Sequence, residues 1–411
     1  MANILKIDDL IKVPIVESGD FSFAIKEESA SYIFNSVKRY SDFTRPKTEV
    51  PSQNHAFLTG KNGKKILIRK TGDGEYSLID RYSLLNLMSI INDSDNILNS
   101  KKINLDFLSK IESNQLLPEI QNHKVAFIVP IFNASSAEHI LFNYELFKTQ
   151  IPEKDLFVIE LSFDGHFLIP ESENFIRIVG GENSVMWQKE RLLNIALEKI
   201  PKDYTAISWI DADVIFKNDN WIEDLKNKLN SAALIQLFNK ANFLSENNFD
   251  KDHVFNSVFS KERPFNHCGF AWCARREFID SVKFFDYNIC GCGDAIMFKA
   301  MTIDGKKEFE KSLVNENFGY LYKVSKYIQS CRAFPFQITT THLDTDIDHL
   351  FHGKIEERKY YEMVKLPGID FDPIEQLFIN KDGIFEWSDS SLAKKVKERV
   401  KCHPNFSNLF I

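Results

Sequence analysis

The sequence predicts an α/β protein with a mostly parallel, Rossmann-like central sheet, preceded by a small N-terminal α+β region. Three observations lead there. From Lys124 onward, strand-like apolar stretches alternate with stretches of helical periodicity: the continuous run Val125 to Val129, then Leu156 to Ile159, Phe175 to Val179 and Ala206 to Ile210. A strand buried on both faces reads as such a run, and strands alternating with helices imply right-handed crossovers and a parallel sheet. The last of these runs ends in Asp211-Ala212-Asp213, two carboxylates where a strand breaks into a loop. Residues 1–122 show no such alternation and read as hairpins and short helices.

Length and composition set the bounds. A chain of 411 residues exceeds one typical domain. The expected organisation is an N-terminal region of unknown role over 1–122, a main α/β domain over 123–366, and an extension over 367–411 packed on it. Hydrophobic residues at 44% and charged residues at 27% are ordinary for a globular protein, while 36 Phe point to deep aromatic packing. A formal net charge of −7 argues against a general polyanion binder, which needs a clustered basic surface. No apolar stretch reaches the length of a membrane span, and Met1 to Asp8 lacks a basic segment followed by an apolar core, so a cytoplasmic protein is expected. The six cysteines, Cys268, Cys273, Cys290, Cys292, Cys331 and Cys402, form no paired zinc signature and are expected as free thiols.

Within the N-terminal region, Phe21 to Ile25 alternates like a strand, and Ala30 to Tyr40 has helical character. Lys65 to Arg69 and Tyr76 to Ile79 flank Gly72-Asp73-Gly74, which reads as a β-hairpin turn. Asp80 to Asn99 is apolar at helical spacing, and Lys101 to Gln121 is a polar connector. In the main domain, Pro130 ends the first apolar run; Ala137 to Gln150 and Met186 to Ile200 are expected helices. Trp221 to Leu229 is a further helix, Ala232 to Phe238 a strand, and 241–264 an irregular, partly charged segment. The tail holds a turn at Lys381-Asp382-Gly383 and a basic helix from Ala393 to Lys401.

Several residue groups carry chemistry. Asp211 and Asp213 offer hard oxygen ligands to Mg²⁺ or Mn²⁺ bridging a diphosphate, or else belong to a solvated turn. In Trp187-Gln188-Lys189-Glu190-Arg191, the two cations near a helix start are placed to hold base, ribose or phosphate, or form a solvated basic face. Gly291 and Gly293 let the backbone approach a ligand, and Asp294 then caps a helix or acts as a base. His349-Leu350-Phe351-His352-Gly353, followed by Arg358, Tyr360 and Tyr361, offers His352 as a nitrogen ligand or as an ordinary half-buried histidine.

In sequence order, the strand ending at Pro130, Trp187 to Asn194, Asp211-Ala212-Asp213, Cys268 to Ala271, Gly291 to Asp294 and His352-Gly353 together form a pattern. Over Lys124 to Tyr361 it resembles the metal-dependent GT-A glycosyltransferases of the family 2-like kind. The similarity is greatest to the branch related to the β-1,4-galactosyltransferases and the galactosyltransferase C-terminal segment. The resemblance implies a GT-A fold. It also implies that Asp211, Asp213 and His352 hold Mn²⁺ or Mg²⁺. By the same resemblance Pro130, Phe132, Lys189, Arg191 and Asp211 line the donor nucleotide, and Gly269, Ala271 and Trp272 lie at the donor sugar. Asp294 takes the place of the family's catalytic carboxylate. The chain departs from that pattern where Ala295 follows Asp294 and where Cys290 and Cys292 flank the glycines.

The function these features imply is a hexosyltransferase that moves a sugar from a nucleoside diphosphate sugar, a UDP-sugar first of all, to an acceptor hydroxyl with inversion. The acceptor is a glycan or another hydroxyl-bearing molecule, and the acidic balance speaks against a nucleic acid. The alternatives are a sugar- or nucleotide-binding protein of the same fold without turnover, and a nucleotidyltransferase. The latter calls for a Gly-rich phosphate loop after the first strand, where the sequence has Pro130-Ile131-Phe132-Asn133.

Overall fold

The structure is a computed structural model that describes six strands between Asn3 and Leu78 and residues 116–132, 139–260, 266–301, 318–332, 334–352, 371–388 and 391–401. The chain divides into two compact units, Met1–Ile111 and Glu112–Ile411.

The first unit is a closed barrel of β1 (Asn3–Lys6), β2 (Lys12–Gly19), β3 (Ser22–Ile25), β4 (His55–Thr59), β5 (Lys65–Gly72) and β6 (Glu75–Leu78). Parallel pairing of β1 with β6 closes the ring, which removes the edges an open sheet of this size would expose. Ile68 of β5 is fully buried. The expected strand at Phe21 to Ile25 and the hairpin around Gly72 are present as β3 and the antiparallel pair β5–β6. The helical expectations over 30–40 and 80–99, and most of the connector over 101–121, lie outside the described residues.

The second unit is built on a seven-stranded sheet. Its strands are β7 (Val125–Phe132), β8 (Leu156–Ser162), β9 (Phe175–Val179), β10 (Ala206–Ile210), β12 (Leu234–Gln236), β16 (Ala271–Arg275) and β17 (Thr340–His342). Their order is β17-β12-β16-β10-β7-β8-β9. Every pairing is parallel except those of β16, which runs against both neighbours, so the mostly parallel α/β sheet expected from the apolar runs is present. β8 and β10 are buried along their whole length, as strands covered on both faces must be. β7 continues past Pro130 to Phe132, farther than the sequence suggests.

Helices cover this sheet. They are α1 (His139–Phe147), α2 (Lys189–Lys199), α3 (Trp221–Leu229), α4 (Arg276–Val282), α5 (Gly293–Met301) and α6 (Phe318–Arg332). α2 lays Leu192, Leu193 and Ala196 onto β7 and β8. Each of the two fully buried leucines contributes about 1.5–3 kcal/mol, and the alanine methyl less. Among the described residues no helix is long and apolar enough to cross a membrane, and Cys268, Cys273, Cys290, Cys292 and Cys331 take part in no disulfide.

A second, five-stranded sheet stands beside the first, in the order β11 (Val214–Phe216), β18 (Asp346–His349), β13 (Lys240–Leu244), β14 (Lys251–Ser257) and β15 (Asn266–His267). β13 and β14 form an antiparallel hairpin where the sequence was read as irregular. β14 is largely exposed and polar, so it lacks the apolar signal of a buried strand. The C-terminal segment adds α7 (Pro373–Gln376), a hairpin of β19 (Leu377–Ile379) and β20 (Phe385–Trp387), and α8 (Ser391–Lys401). Its Phe385, Trp387, Leu392 and Val396 belong to the same core as α2.

Candidate active site

Strand direction decides what meets at one end of the main sheet. β7 and β10 are parallel, so Pro130 to Phe132 and Asp211 to Asp213 emerge at the same end. β16 is antiparallel to β10, with Ala271 paired to Ile210, so the loop that enters β16 reaches that end too. There the Phe270 carbonyl accepts a hydrogen bond from the Asp211 backbone N–H at 2.8 Å. Ligands of open α/β sheets bind at this carboxyl end. A cavity of about 330 Å³ lies there, at the small end of the range for small-molecule sites.

At one side of the cavity, the second sheet brings two histidines to Asp213. β11 follows the aspartates directly and pairs antiparallel with β18, with Val214 opposite His349. The Leu350 N–H then donates to the Asp213 carbonyl at 2.8 Å. His352 Nε2 lies 3.3 Å and His349 Nε2 3.7 Å from Asp213 Oδ2, and the two ring nitrogens are 3.4 Å apart. These three ligand atoms lie within 4.8 Å of one another, so one ion can reach all of them, and a carboxylate with two imidazoles suits a divalent first-row metal. His139 of α1 stacks over His352 with 6.3 Å between ring centroids. The rings of Phe243 and Phe270 enclose His349 from two sides.

In the same cavity, Lys189 opens α2 and binds two carboxylates. Its Nζ is 2.7 Å from Asp211 Oδ1 and 3.0 Å from Asp294 Oδ2. Burial alone would depress the Lys189 pKa, but Asp211, Asp294 and Glu190 outweigh it and hold the ammonium well above its usual range. Burial pushes the Asp211 carboxyl up to about 6 against the pull of Lys189. Glu190 is 2% exposed, and burial together with the Asp294 charge pushes its pKa up to about 8. Gly291 and Cys292 both take positive φ, 92° and 66°, in the tight turn that presents Asp294 at the start of α5. Burial likewise pushes the Cys268 thiol, which lines the cavity beside Asp294, up to about 12.

Of the residues singled out from sequence, Pro130, Phe132, Lys189, Asp211, Asp213, Gly269, Asp294 and His352 line this cavity. Arg191, Ala271 and Trp272 do not. Arg191 turns to the C-terminal segment, where its Nε donates to the Gly383 carbonyl and its guanidinium pairs with Asp286 at 3.1 Å and packs over Phe385. Lys189 and Arg191 are two positions apart, and such residues point to different sides of a helix. Ala271 is buried within β16 on one side of the sheet, whereas Trp272 faces the other side, stacks on Trp209 and donates from Nε1 to the Cys268 carbonyl. Asp211 is held by Lys189, and the residues whose ligand atoms lie close enough together to share one ion are Asp213, His349 and His352. His349 is the residue that sequence reasoning passed over. The available signal was the His349-x-x-His352 spacing at the end of an alternating strand. Gly353, Arg358, Tyr360, Tyr361 and Cys402 lie outside the described residues.

No protein-family model matches this sequence, and none of the curated proteins does. Solved structures with similarity include TarS 1-349 of S. aureus, at 12% identity and a TM-score of 0.32 over 60% of this chain and 66% of that one. The catalytic domain of Drosophila beta1,4-galactosyltransferase 7, in complex with xylobiose, is 13% identical with a TM-score of 0.32 over 68% of this chain and 98% of that one. Glucosyl-3-phosphoglycerate synthase from Mycobacterium tuberculosis, bound to Mn²⁺, UDP and glucosyl-3-phosphoglycerate, is 11% identical with a TM-score of 0.30 over 59% and 77%.

Proposed function

We propose that this cavity transfers a sugar from a nucleoside diphosphate sugar to an acceptor hydroxyl, with inversion at the anomeric carbon. One observation carries the reading: Asp213, His349 and His352 place three ligand atoms within reach of one ion in the same cavity as Asp294, with Lys189 between the two aspartate loops. Mn²⁺ or Mg²⁺ held there would neutralise the leaving diphosphate, and the two imidazoles favour Mn²⁺, because Mg²⁺ prefers oxygen ligands.

The chain's own residues divide the remaining work. Pro130 and Phe132 form the wall for the nucleotide, and Gly269 lets the loop approach the donor sugar without a side chain in the way. Lys189 fixes Asp294 through Oδ2, so its other oxygen is the one that accepts the proton of the attacking hydroxyl. As that proton leaves, the acceptor oxygen bonds to the anomeric carbon and the bond from that carbon to the diphosphate breaks. A donor with a UDP leaving group is the first candidate.

A panel of nucleoside diphosphate sugars incubated with Mn²⁺ tests the proposal by release of nucleoside diphosphate. Asp294→Asn is expected to lower turnover by about 10² to 10⁴ while donor affinity stays close to wild type. Donor binding with no release in any combination of donor and acceptor would make the protein a binding module, and no binding at all would overturn the reading.

A further inference from the structure

Metal-binding histidines are usually oriented by a hydrogen bond from the ring's other nitrogen. Aromatic rings also pack against His349. Phe243 lies flat on it, with 4.3 Å between centroids and 11° between planes, and Phe270 meets it edge-on at 4.9 Å and 62°. Phe243 and Phe270 also pack on each other at 5.3 Å, and His267 stacks on the far side of Phe270 at 4.2 Å and 11°. His349 is 4% exposed, Phe270 5% and Phe243 6%, so the three rings have little room to turn.

Phe270 does a second thing at the same time. Its carbonyl accepts the Asp211 N–H at 2.8 Å, and Asp211 begins the loop that carries Asp213. It meets both demands with φ at +77°, in the left-handed region that a residue with a bulky side chain rarely occupies. Glycine would take that conformation without strain but would bring no ring. A phenylalanine held there trades backbone comfort for contact with His349, and strain of this kind persists where the surroundings over-determine it.

We infer that Phe270 is the positioning residue of the cation site, setting the His349 ring with its own ring and the Asp211–Asp213 loop with its carbonyl. The inference rests on the proposed metal role of Asp213, His349 and His352. The consequence is specific: the ring of Phe270 sets ion affinity and ligand geometry, while its backbone conformation works against stability. Replacing it by glycine relieves the backbone but also empties the place of a buried ring, so ion affinity and ligand geometry, measured below the unfolding transition, carry the test.

The experiment uses the full chain and two ions, Mn²⁺ for affinity by calorimetry and Co²⁺ for ligand geometry by its visible absorption. Phe270→Gly is expected to keep the fold, weaken Mn²⁺ binding roughly 10- to 100-fold, and change the intensity and position of the Co²⁺ bands. Phe270→Tyr, which restores the ring, is expected to bind Mn²⁺ within about 3-fold of wild type. Phe270→Gly with wild-type affinity and an unchanged Co²⁺ spectrum would overturn the inference, as would a lowered melting temperature with both ion readouts intact. Wild-type protein that takes up neither ion would overturn the metal reading itself, a failure visible before any variant is made.

Discussion

The carboxyl of Glu190 occupies the space where a β-carbon on Gly293 would stand: such a carbon would fall 2.1 Å from Glu190 Oε1 and 2.2 Å from its carboxyl carbon. The starts of α2 and α5 can approach this closely only because one of the pair has no side chain. Since Asp294 follows Gly293, this contact also sets where the candidate base stands. Gly293→Ala is therefore expected to destabilise the protein by about 1–3 kcal/mol through overpacking. It should also lower turnover more than it changes nucleotide affinity, because the displaced group is Asp294. Chemical denaturation and steady-state kinetics check the two parts, and an alanine variant matching wild type in both would remove the contact from consideration.

The same carboxyl makes stability fall with rising pH. Its pKa is raised from the ordinary 4.5 to about 8 by burial and by Asp294, partly offset by Lys189, so between those values the folded state binds a proton that the unfolded state has released. The loss begins above pH 4.5 and is complete once the pH has passed about 8. Asp211, raised from 3.8 to about 6, adds to the loss at the lower end of that window. In a chelator, the melting temperature at pH 9 should lie roughly 4–8 °C below that at pH 6. Glu190→Gln should flatten the curve above pH 6, and an unaltered slope in that variant would show that Glu190 does not cause it.

Lys189 neutralises two carboxylates from within a nearly buried position, its side chain 8% exposed. Lys189→Met would leave Asp211 and Asp294 facing each other without a cation. The expected cost is about 3 kcal/mol, the lower end for breaking a buried pair because Asp211 is partly exposed. Urea unfolding at neutral pH measures it, and the deficit should shrink at low pH as the carboxyls protonate.

Removal of any member of the ion-binding group should be felt as lost metal. Asp213→Ala, His349→Ala and His352→Ala are each expected to weaken Mn²⁺ affinity by at least about 10-fold, with Asp213 the largest because it alone contributes charge. Asp211→Asn should weaken it less, since Lys189 already holds that carboxylate. Calorimetric titration of the four variants decides the ranking, and equal losses at Asp211 and Asp213 would make both of them ligands.

Arg191 provides the contrasting case. Its partners are Asp286, 9% exposed at the side chain, and the Gly383 carbonyl of the C-terminal segment. Arg191→Ala should cost about 3 kcal/mol of stability by leaving Asp286 buried without its cation, while nucleotide affinity measured below the unfolding transition stays at the wild-type level. A selective loss of nucleotide binding would place Arg191 at the donor after all.

The sequence by itself determined the parts of the molecule whose signal is local. The apolar runs at Val125, Leu156 and Ala206 became strands because burial on both faces leaves little polar alternation to interrupt them, while the Phe175 run became a half-exposed edge strand. The break after Ile210 placed two carboxylates at a strand end, and Gly291 with Cys292 made the turn before Asp294. The tertiary structure alone decided which groups meet. His349 joins Asp213 because β18 pairs with β11 in a register that sets it opposite Val214, a relationship between segments far apart in the chain. Lys189 enters the cavity and Arg191 leaves it because two positions along a helix change the side to which a residue points, and only packing selects the inward side. Ala271 and Trp272 part to opposite sides of β16 for the corresponding reason in a strand. Residue type and spacing act along the chain and are readable there, whereas register and facing are settled by contacts that exist only once the sheets have formed.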